Sequence, residues 1–409
     1  MSRTDSADWG IRVPDRDSSR AVLTATATHQ TPSELLPIPQ VSANLTDLEA
    51  SLTGKSGLFD PAHVQALLDP ASADAVLDAL PSPGSGTELD LLLFYYAGHG
   101  LLNEDKQLCL ALPGSEDRVG RTTRTSLPVS AVFESMKGVR AHYRVAILDC
   151  CFSGRAVDAA SASHIHLLTA TGPTRKAHAE AGRRHTAFTE GLLHLLDHGI
   201  PDGGRHLDLA TVYRRLGVSL PAARPARPTP AQRSVNFSGD LAIGANPAHG
   251  TALTRQGLMA RARFAGELRD LGRLSDRNPG QALRLLQAVQ LMSEVVTDGM
   301  RAFAHDDPGI LAYRTTHASM TAQAGAVAEA VELLEVVVRD WETVAPPGDA
   351  GLEAARACWN HWLGSPPGGE PQAAREAGGP ERARPSQVGA GLAAIELLAR
   401  MVGTARTKV

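Results

Sequence analysis

The sequence has few cysteines and no pattern that would pair them. Its 409 residues include four cysteines, and none of these stands in a CxxC pair. Cys150 and Cys151 are neighbours, and neighbouring cysteines rarely form a disulfide with each other. The sequence therefore excludes a disulfide framework and favours a reducing compartment.

The sequence also has no strong excess of positive or negative charge and no long apolar run. The net charge of −4 gives no electrostatic basis for binding nucleic acid or an anionic membrane. No apolar run approaches the roughly 20 residues of a membrane helix. Residues 1–19 contain no basic-then-apolar signal segment. We therefore expect a cytoplasmic protein with no nucleic-acid partner and no membrane partner.

The chain is long enough for two or three domains, and its hydrophobic content of 43% is typical of globular proteins. Short apolar runs alternate with helical patterns up to residue 244. This alternation predicts an α/β domain with a mostly parallel sheet and helices on both faces. We place a disordered leader at 1–19, this domain at 20–245 and an all-α, repeat-like region at 246–409.

The elements of the α/β domain are predicted from periodicity and from capping signals. Asn44 is expected to cap the first helix, which carries the apolar residues Leu45, Leu48 and Leu52. Another helix is expected to begin near Ala156, and a last edge strand is expected at 241–243. Strands are predicted at 21–26, 64–68, 91–97, 107–112, 145–148 and 164–170, and further helices at 72–80, 127–137, 187–198 and 211–216.

The region after residue 246 has helical spacing and a weak internal repeat. Arg314 and Arg356 are 42 residues apart, and Met320 and Trp362 have the same separation. A period of this size is typical of helical-hairpin repeats, which usually present a surface to a protein partner. A low-complexity insert at 365–390 precedes a last predicted helix at 392–401.

Two of the predicted strands end in turns that carry reactive side chains. The strand at 145–148 continues into Asp-Cys-Cys-Phe-Ser-Gly, which contains Cys151. The strand at 91–97 continues into Gly-His-Gly, which has His99 at its centre. Because parallel strands end at the same edge of a sheet, we expect His99 and Cys151 to meet there as a catalytic dyad.

The two residue types are suited to nucleophilic catalysis. A cysteine thiol needs a neighbouring base to become an effective nucleophile at neutral pH. His99 can accept the thiol proton and later protonate a leaving amine. Glycines on both sides of His99 permit a close approach of the backbone. The N–H groups of Gly100 and Cys151 are therefore candidates for an oxyanion hole.

These motifs, Tyr-Tyr-Ala-Gly-His-Gly at 95–100 and Leu-Asp-Cys-Cys-Phe-Ser-Gly at 148–154, resemble those of the caspase-like cysteine peptidases of clan CD. The similarity is greatest to the bacterial members and to metacaspases, whose nucleophile motif is Asp-x-Cys-x-Ser-Gly. The resemblance covers residues 18–245. His99 and Cys151 are separated by 52 residues, close to the spacing of about 50 found in caspases.

The resemblance implies a caspase-like fold and a cysteine endopeptidase that acts on protein or peptide substrates without a cofactor. His99 matches the catalytic histidine of the family, Cys151 matches its nucleophile, and Gly100 matches its oxyanion donor. Cys150 falls on a variable position, so we interpret it as a packing residue. Many metacaspases need calcium, and whether this chain does stays open.

Asp149 matches the acid that lines the S1 pocket of metacaspase-type enzymes, which implies cleavage after Arg or Lys. The alternative interpretation is a carboxylate that caps a turn. A second acid often follows the next strand in metacaspases, but the corresponding segment at 169–176 is basic here.

The stretch 155–184 lies where caspase-like enzymes carry an interdomain loop. It contains the basic residues Arg175, Lys176, Arg183 and Arg184. An enzyme specific for a basic P1 residue is expected to cut itself in this stretch.

No metal site is predicted from the remaining histidines. His194 and His198 have helical spacing but no third ligand nearby in the sequence, and we interpret them as a solvated pair. His164 and His166 alternate along a predicted strand and are expected to fill or border the sheet.

Two alternatives to the peptidase remain open. One is a catalytically inactive caspase-like scaffold that acts through its helical region. The other is an acyltransferase that forms its thioester with the same dyad. The helical region weakly resembles the tetratricopeptide-like repeats of actinobacterial proteins. Its fusion to a caspase-like domain implies a role in a bacterial stress, death or defence pathway.

Overall fold

The computed structural model describes residues 10–82, 88–157, 159, 162–172, 182–223, 225–235, 238–273 and 279–364. The chain divides into two units, Met1–His249 and Gly250–Val409. The predicted domain boundary at 245 lies within a few residues of this division. Arg175, Lys176, the insert at 365–390 and the helix predicted at 392–401 lie outside the described residues.

The first unit is built around a six-stranded sheet with the order β10-β8-β7-β3-β1-β2. Every neighbouring pair is parallel except β8 and β10, which are antiparallel. The strands of this sheet are β1 (Arg20–Ala25), β2 (Val64–Leu68), β3 (Leu89–Ala97), β7 (Ala141–Asp149), β8 (His166–Thr169) and β10 (Ala231–Arg233).

The central strands are apolar because both of their faces are covered. All nine residues of β3 are buried, and successive side chains enter opposite cores. Tyr95 belongs to the core beneath α1 (Gln40–Thr53), α5 (Ala187–His198) and α6 (Leu209–Ala222). Tyr96 belongs to the core beneath α2 (Ala73–Leu77) and α4 (Val129–Gly138). The predicted α/β class, with a mostly parallel sheet and helices on both faces, is confirmed.

Two smaller sheets flank the main one. The first has the order β4-β5-β6, and the second pairs β9 with β11. The remaining elements of this unit are β4 (Gly100–Leu102), β5 (Leu108–Leu110), α3 (Thr122–Thr125), β6 (Leu127–Pro128), β9 (His206–Asp208) and β11 (Ala242–Ala245).

The edge strand of the main sheet was predicted at the wrong place. The segment predicted at 241–243 forms β11, which pairs with β9 outside the main sheet. The edge strand next to β8 is β10, whose sequence Ala-Gln-Arg has no apolar alternation. It joins the sheet through backbone pairing with β8, so its side chains gave no signal.

Two helix predictions also need correction. Helix α1 begins at Gln40, one turn before Asn44, so Asn44 does not cap it. Asn44 is instead buried within the helix, and its side chain binds Thr186. The helix expected near Ala156 is only a 3₁₀ turn over Ser153–Ala156.

The disordered leader expected at 1–19 is wrong for residues 10–19, which pack onto the first unit. Arg12 pairs with Leu241 in a β-bridge and forms an ion pair of 3.2 Å with Asp90. The backbone N–H of Asp15 also donates to Asp90, at 2.8 Å. These contacts tie the segment to the start of β3.

The second unit is helical, and consecutive helices pack against each other. Asp307 and Asp349 cap two of its helices in the same way, since one carboxylate oxygen of each accepts two backbone N–H groups at the helix start. No helix in the described ranges is long and apolar enough to cross a membrane. The helices are α7 (Arg255–Arg273), α8 (Pro279–Ala302), α9 (Pro308–Gln323), α10 (Val327–Val344) and α11 (Ala350–Leu363).

Candidate active site

Three adjacent strands of the main sheet end at one edge, and each is followed by a candidate functional side chain. Ala97 of β3 is paired in register with Asp149 of β7. His99 and Cys151 each follow two residues later, so they leave neighbouring strands that are about 5 Å apart. His29 follows β1 on the other side of β3. His99 therefore lies on the strand between those that carry His29 and Cys151.

The imidazole of His99 is oriented by a backbone carbonyl. Its Nε2 lies 2.7 Å from the carbonyl oxygen of Leu36, in the loop after β1. A carbonyl can only accept, so Nε2 carries the proton and the neutral ring keeps the lone pair on Nδ1. Nδ1 is therefore the nitrogen available as a base.

The backbone of His99 is held by a tyrosine from the preceding strand. The Tyr96 hydroxyl lies within hydrogen-bond distance of two carbonyl oxygens, that of His99 at 3.0 Å and that of Ala111 at 2.8 Å. Gly98 is required between them, because a Cβ there would lie 2.5 Å from the Tyr96 hydroxyl oxygen. Burial raises the pKa of Tyr96 well above its usual value, so it remains a neutral donor.

The two neighbouring cysteines have different environments. Cys150 is fully buried in the core beneath α4, whereas Cys151 is half-buried. Burial, together with the charges of Cys151 and Asp149, raises the pKa of Cys150 well above its usual value. A buried thiol with a raised pKa is unreactive, which agrees with a packing role for Cys150. All four cysteines of the chain are described, and none is in a disulfide.

The turn after Cys151 is fixed by the loop that follows β8. The Ser153 hydroxyl accepts a hydrogen bond of 3.2 Å from the backbone N–H of Thr171. The Thr171 hydroxyl donates in turn to the carbonyl of Cys150, at 3.4 Å. Phe152, between Cys151 and Ser153, has a left-handed conformation with φ of 56°. The turn that carries the thiol is therefore anchored on both sides.

Gly100 brings a backbone N–H close to the nucleophile turn. A Cβ at this position would lie 2.0 Å from the carbonyl oxygen of Cys151, so only glycine fits. Ala111 N–H donates to the His99 carbonyl at 3.0 Å, and β4 then pairs Gly100 with Leu110. Because antiparallel pairs alternate, Gly100 and Leu110 form a non-hydrogen-bonded pair. The β4–β5 ladder therefore leaves the Gly100 N–H available.

Asp149 is the last residue of β7, and its buried side chain lies against the first turn of α5. Its Oδ2 accepts hydrogen bonds from the hydroxyls of Thr186 and Thr189, the latter at 2.6 Å. Tyr95 and Asn44 supply those hydroxyls with donors at 2.7 Å. Burial raises the pKa of Asp149, although both threonine hydroxyls act in the opposite direction. The carboxylate is therefore held through Oδ2 by hydroxyl groups that are themselves hydrogen-bonded.

A small cavity borders Asp149. Its volume is about 10 Å³, which is room for about one water molecule. Arg227 lines it with a side chain that is 12% exposed. The Arg227 guanidinium lies 3.2 Å from Glu190 Oε2, which also pairs with Arg183 at 2.9 Å. The other lining residues are Ala170, Ala187, Phe188, Leu220 and Pro228.

Arg184, one of the residues proposed for self-cleavage, is bound by a second carboxylate. Its guanidinium makes two hydrogen bonds to Asp47 of α1, at 2.7 and 2.8 Å. His185 contacts the same carboxylate at 2.6 Å. The bonds from Arg184, ahead of those from His185, lower the pKa of Asp47 to about 2. Asp47 lies one turn along α1 from Asn44, which binds Thr186 of the Asp149 network.

The remaining histidines form no metal centre among the residues described. No group of three or more His, Cys, Asp or Glu side chains there is arranged to hold a metal ion. His194 and His198 stack at 4.6 Å on α5. His166 is buried within β8 and bonded to Ser238, whereas His164 precedes the strand and is exposed.

Several site residues could not be singled out from the sequence alone. Leu36 acts through its carbonyl group, which leaves no sequence signal. Thr186, Thr189 and Arg227 reach Asp149 only through the fold. The sequence did contain a feature that could have marked His29 as a site residue. Like His99, it is a polar aromatic residue just past a predicted strand.

No protein-family model matches the chain. No curated protein matches it either. Among solved structures, the chain is similar to the crystal structure of caspase-1 from Spodoptera frugiperda, with 14% sequence identity and a TM-score of 0.38. The match covers 58% of this chain and 93% of that chain.

Proposed function

We propose that this chain is a cysteine endopeptidase of the caspase-like type, with Cys151 as nucleophile and His99 as its acid and base. The observation that supports this most is the arrangement of His99. It follows the strand next to that of Cys151, and the Leu36 carbonyl directs its basic nitrogen, Nδ1, away from the loop. The same pair of residues carries the motifs that resemble caspase-like peptidases.

The proposed reaction has two steps. The sulfur of Cys151 attacks the scissile carbonyl carbon while its proton passes to Nδ1 of His99. The oxyanion that forms is stabilised by the N–H groups of Gly100 and Cys151. His99 then protonates the leaving amine, and the C–N bond breaks to leave a thioester. Water attacks the thioester with His99 as base, and the acid product is released with the thiol restored.

We further propose cleavage after Arg or Lys. Asp149 is a carboxylate at the carboxyl end of β7, two residues from the nucleophile, and it borders a cavity. Since Arg227 lines the cavity and little space is left, a substrate side chain would have to displace it.

Fluorogenic peptides with Arg, Lys or Asp at P1 test both proposals. We expect cleavage after Arg and Lys, and a loss of at least about 1,000-fold in kcat/KM in Cys151→Ala and in His99→Ala. Cys150→Ala is the matched control, because it removes the neighbouring thiol and should retain activity. Activity that persists in Cys151→Ala would disprove the mechanism.

The same assay separates the competing functions. An inactive scaffold predicts no cleavage by the wild type and no effect of the dyad variants. An acyltransferase predicts that added amines capture the acyl group in preference to water. We propose that the second unit binds a protein partner in a cytoplasmic stress, death or defence pathway. It takes no part in the proposed reaction.

Self-cleavage is proposed for the basic stretch that contains Arg175, Lys176, Arg183 and Arg184. Arg183 and Arg184 are each paired with a carboxylate, so a cut after either needs that ion pair to open. New N-termini are to be sequenced after incubation of the wild type and of Cys151→Ala. Identical intact protein bands for the wild type and for Cys151→Ala would contradict this proposal.

A further inference from the structure

His29 is a second imidazole beside the proposed base. Its ring centroid lies 5.3 Å from that of His99, with the two planes inclined by 50°. The two residues follow adjacent parallel strands, β1 and β3. His29 therefore contacts His99 from the side opposite to the strand that carries Cys151.

The ring nitrogens of His29 make no hydrogen bond of normal geometry within the part of the chain that the structure describes, although both are buried. Their nearest acceptors are backbone carbonyls that interact only weakly with the ring. A buried polar atom without a partner destabilises a fold, so its presence in a native structure calls for an explanation. The carbonyl groups of Leu112 and Pro113 also face this ring.

The charged and titratable groups that face His29 are His99 and Asp69. Both oxygens of Asp69 are already engaged by the loop after β1. Its Oδ1 accepts from Ala27 N–H at 2.6 Å, and its Oδ2 accepts from the Thr28 hydroxyl at 2.6 Å. Asp69 therefore acts on His29 only at a distance, whereas His99 is in direct contact.

His29 is accordingly a neutral ring at neutral pH. Burial, followed by the neighbouring imidazole of His99, lowers the pKa of His29, and the carbonyl groups and Asp69 only partly oppose this. A neutral imidazole can pack on another aromatic ring without repelling the charge that forms there. A protonated one would place a second positive charge within 5.3 Å of it.

We propose that His29 is a positioning residue for His99, packing its ring in the reactive orientation while neutral and opposing the His99 imidazolium once protonated. The inference rests on the proposed peptidase function, since acylation is the step that places a proton on His99. It predicts two separate effects, one of packing at every pH and one of charge on the acid side.

The packing effect is tested with His29→Ala and His29→Phe. Loss of the ring in His29→Ala should lower kcat about tenfold or more at pH 8, with KM within about twofold of the wild type. His29→Phe restores an aromatic ring and should recover kcat to within about threefold. A His29→Ala variant that retains its kcat would overturn the packing role.

The charge effect is read from the ratio of kcat/KM at pH 5.5 to that at pH 8. Phenylalanine cannot titrate, so this ratio should be about three- to tenfold higher in His29→Phe than in the wild type. His63→Phe is the control, because Nδ1 of His63 is also buried without a partner but precedes β2 at the opposite end of the strands. Equal ratios in His29→Phe and the wild type would overturn the charge effect.

Alkylation of Cys151 by iodoacetamide separates this inference from the proposed function. The thiolate that reacts is sustained by protonated His99, so the alkylation rate should persist to lower pH in His29→Phe. If the wild type cleaves no peptide but the alkylation profiles differ as expected, the peptidase proposal fails and only the charge effect of His29 on the His99–Cys151 pair is retained. If the wild type cleaves peptide but its pH profiles of kcat/KM and of alkylation are the same as those of His29→Phe, the charge effect alone fails.

Discussion

Gly100 and Cys151 are in backbone contact: a Cβ on Gly100 would lie 2.0 Å from the carbonyl oxygen of Cys151. This contact links the histidine loop to the nucleophile turn without any side chain. It explains why the residue after His99 must be glycine.

Gly100→Ala is therefore expected to push the two loops apart and displace the proposed oxyanion donor. We expect kcat/KM to fall by at least about 100-fold, as on removal of an oxyanion-hole donor. Gly217→Ala is the matched control, because a Cβ on Gly217 in α6 would meet no atom within 4 Å. Peptide assays and thermal melts of both variants check this, and full activity in Gly100→Ala would contradict it.

Asp149→Asn distinguishes a specificity residue from a capping residue. Asparagine retains an oxygen for the hydroxyls of Thr186 and Thr189 but removes the charge. If Asp149 sets the specificity, we expect the variant to lose about tenfold or more in kcat/KM for Arg and Lys peptides. Its P1 profile is measured against that of the wild type, with alkylation of Cys151 as the control for an intact site. A lower melting temperature with an unchanged profile would assign Asp149 to capping alone.

Arg227→Ala is expected to open the cavity beside Asp149. If Arg227 must leave before a basic side chain can enter, the variant should have a KM for Arg peptides about three- to tenfold lower, because the competent state no longer needs that displacement. Arg183→Ala is the matched control, since Arg183 shares Glu190 with Arg227 but is not among the residues that line the cavity. Equal KM values in the two variants would speak against an obstructing role.

His166 is expected to make the fold sensitive to acid. Burial lowers the pKa of His166 from its ordinary 6.5 to about 4. Its Nε2 accepts from the Gln232 amide at 3.0 Å, so Nδ1 carries the proton and donates to Ser238 at 2.8 Å. Protonation of Nε2 would bring its N–H group face to face with the donating amide group of Gln232.

The unfolded chain binds this proton before the folded one does, so stability is fully present above pH 6.5 and is lost as the pH falls toward 4. The loss amounts to at most about 3 kcal/mol. Urea unfolding at several pH values should show a smaller acid-side loss in His166→Gln than in the wild type. The exposed His142→Gln is the control and should follow the wild type.

The sequence and the structure agree best where a side-chain pattern has one physical solution. Continuous apolar runs predicted β3 and β7, since only a strand covered on both faces buries them fully. The apolar face of α5 predicted its bounds, 187–198. Agreement fails at β10 and Asn44, because backbone pairing and a partner more than 140 residues away decided them.

The sequence by itself determined the α/β class and the two motifs that place His99 and Cys151 beyond strand ends. Local periodicity and turn residues carry that information, and parallel strands share one edge. Only the tertiary structure decided which groups surround the pair. The Leu36 carbonyl, the ring of His29 and the threonines on Asp149 come from segments distant along the chain. Their contacts depend on how loops close over the sheet edge, and no local pattern encodes that.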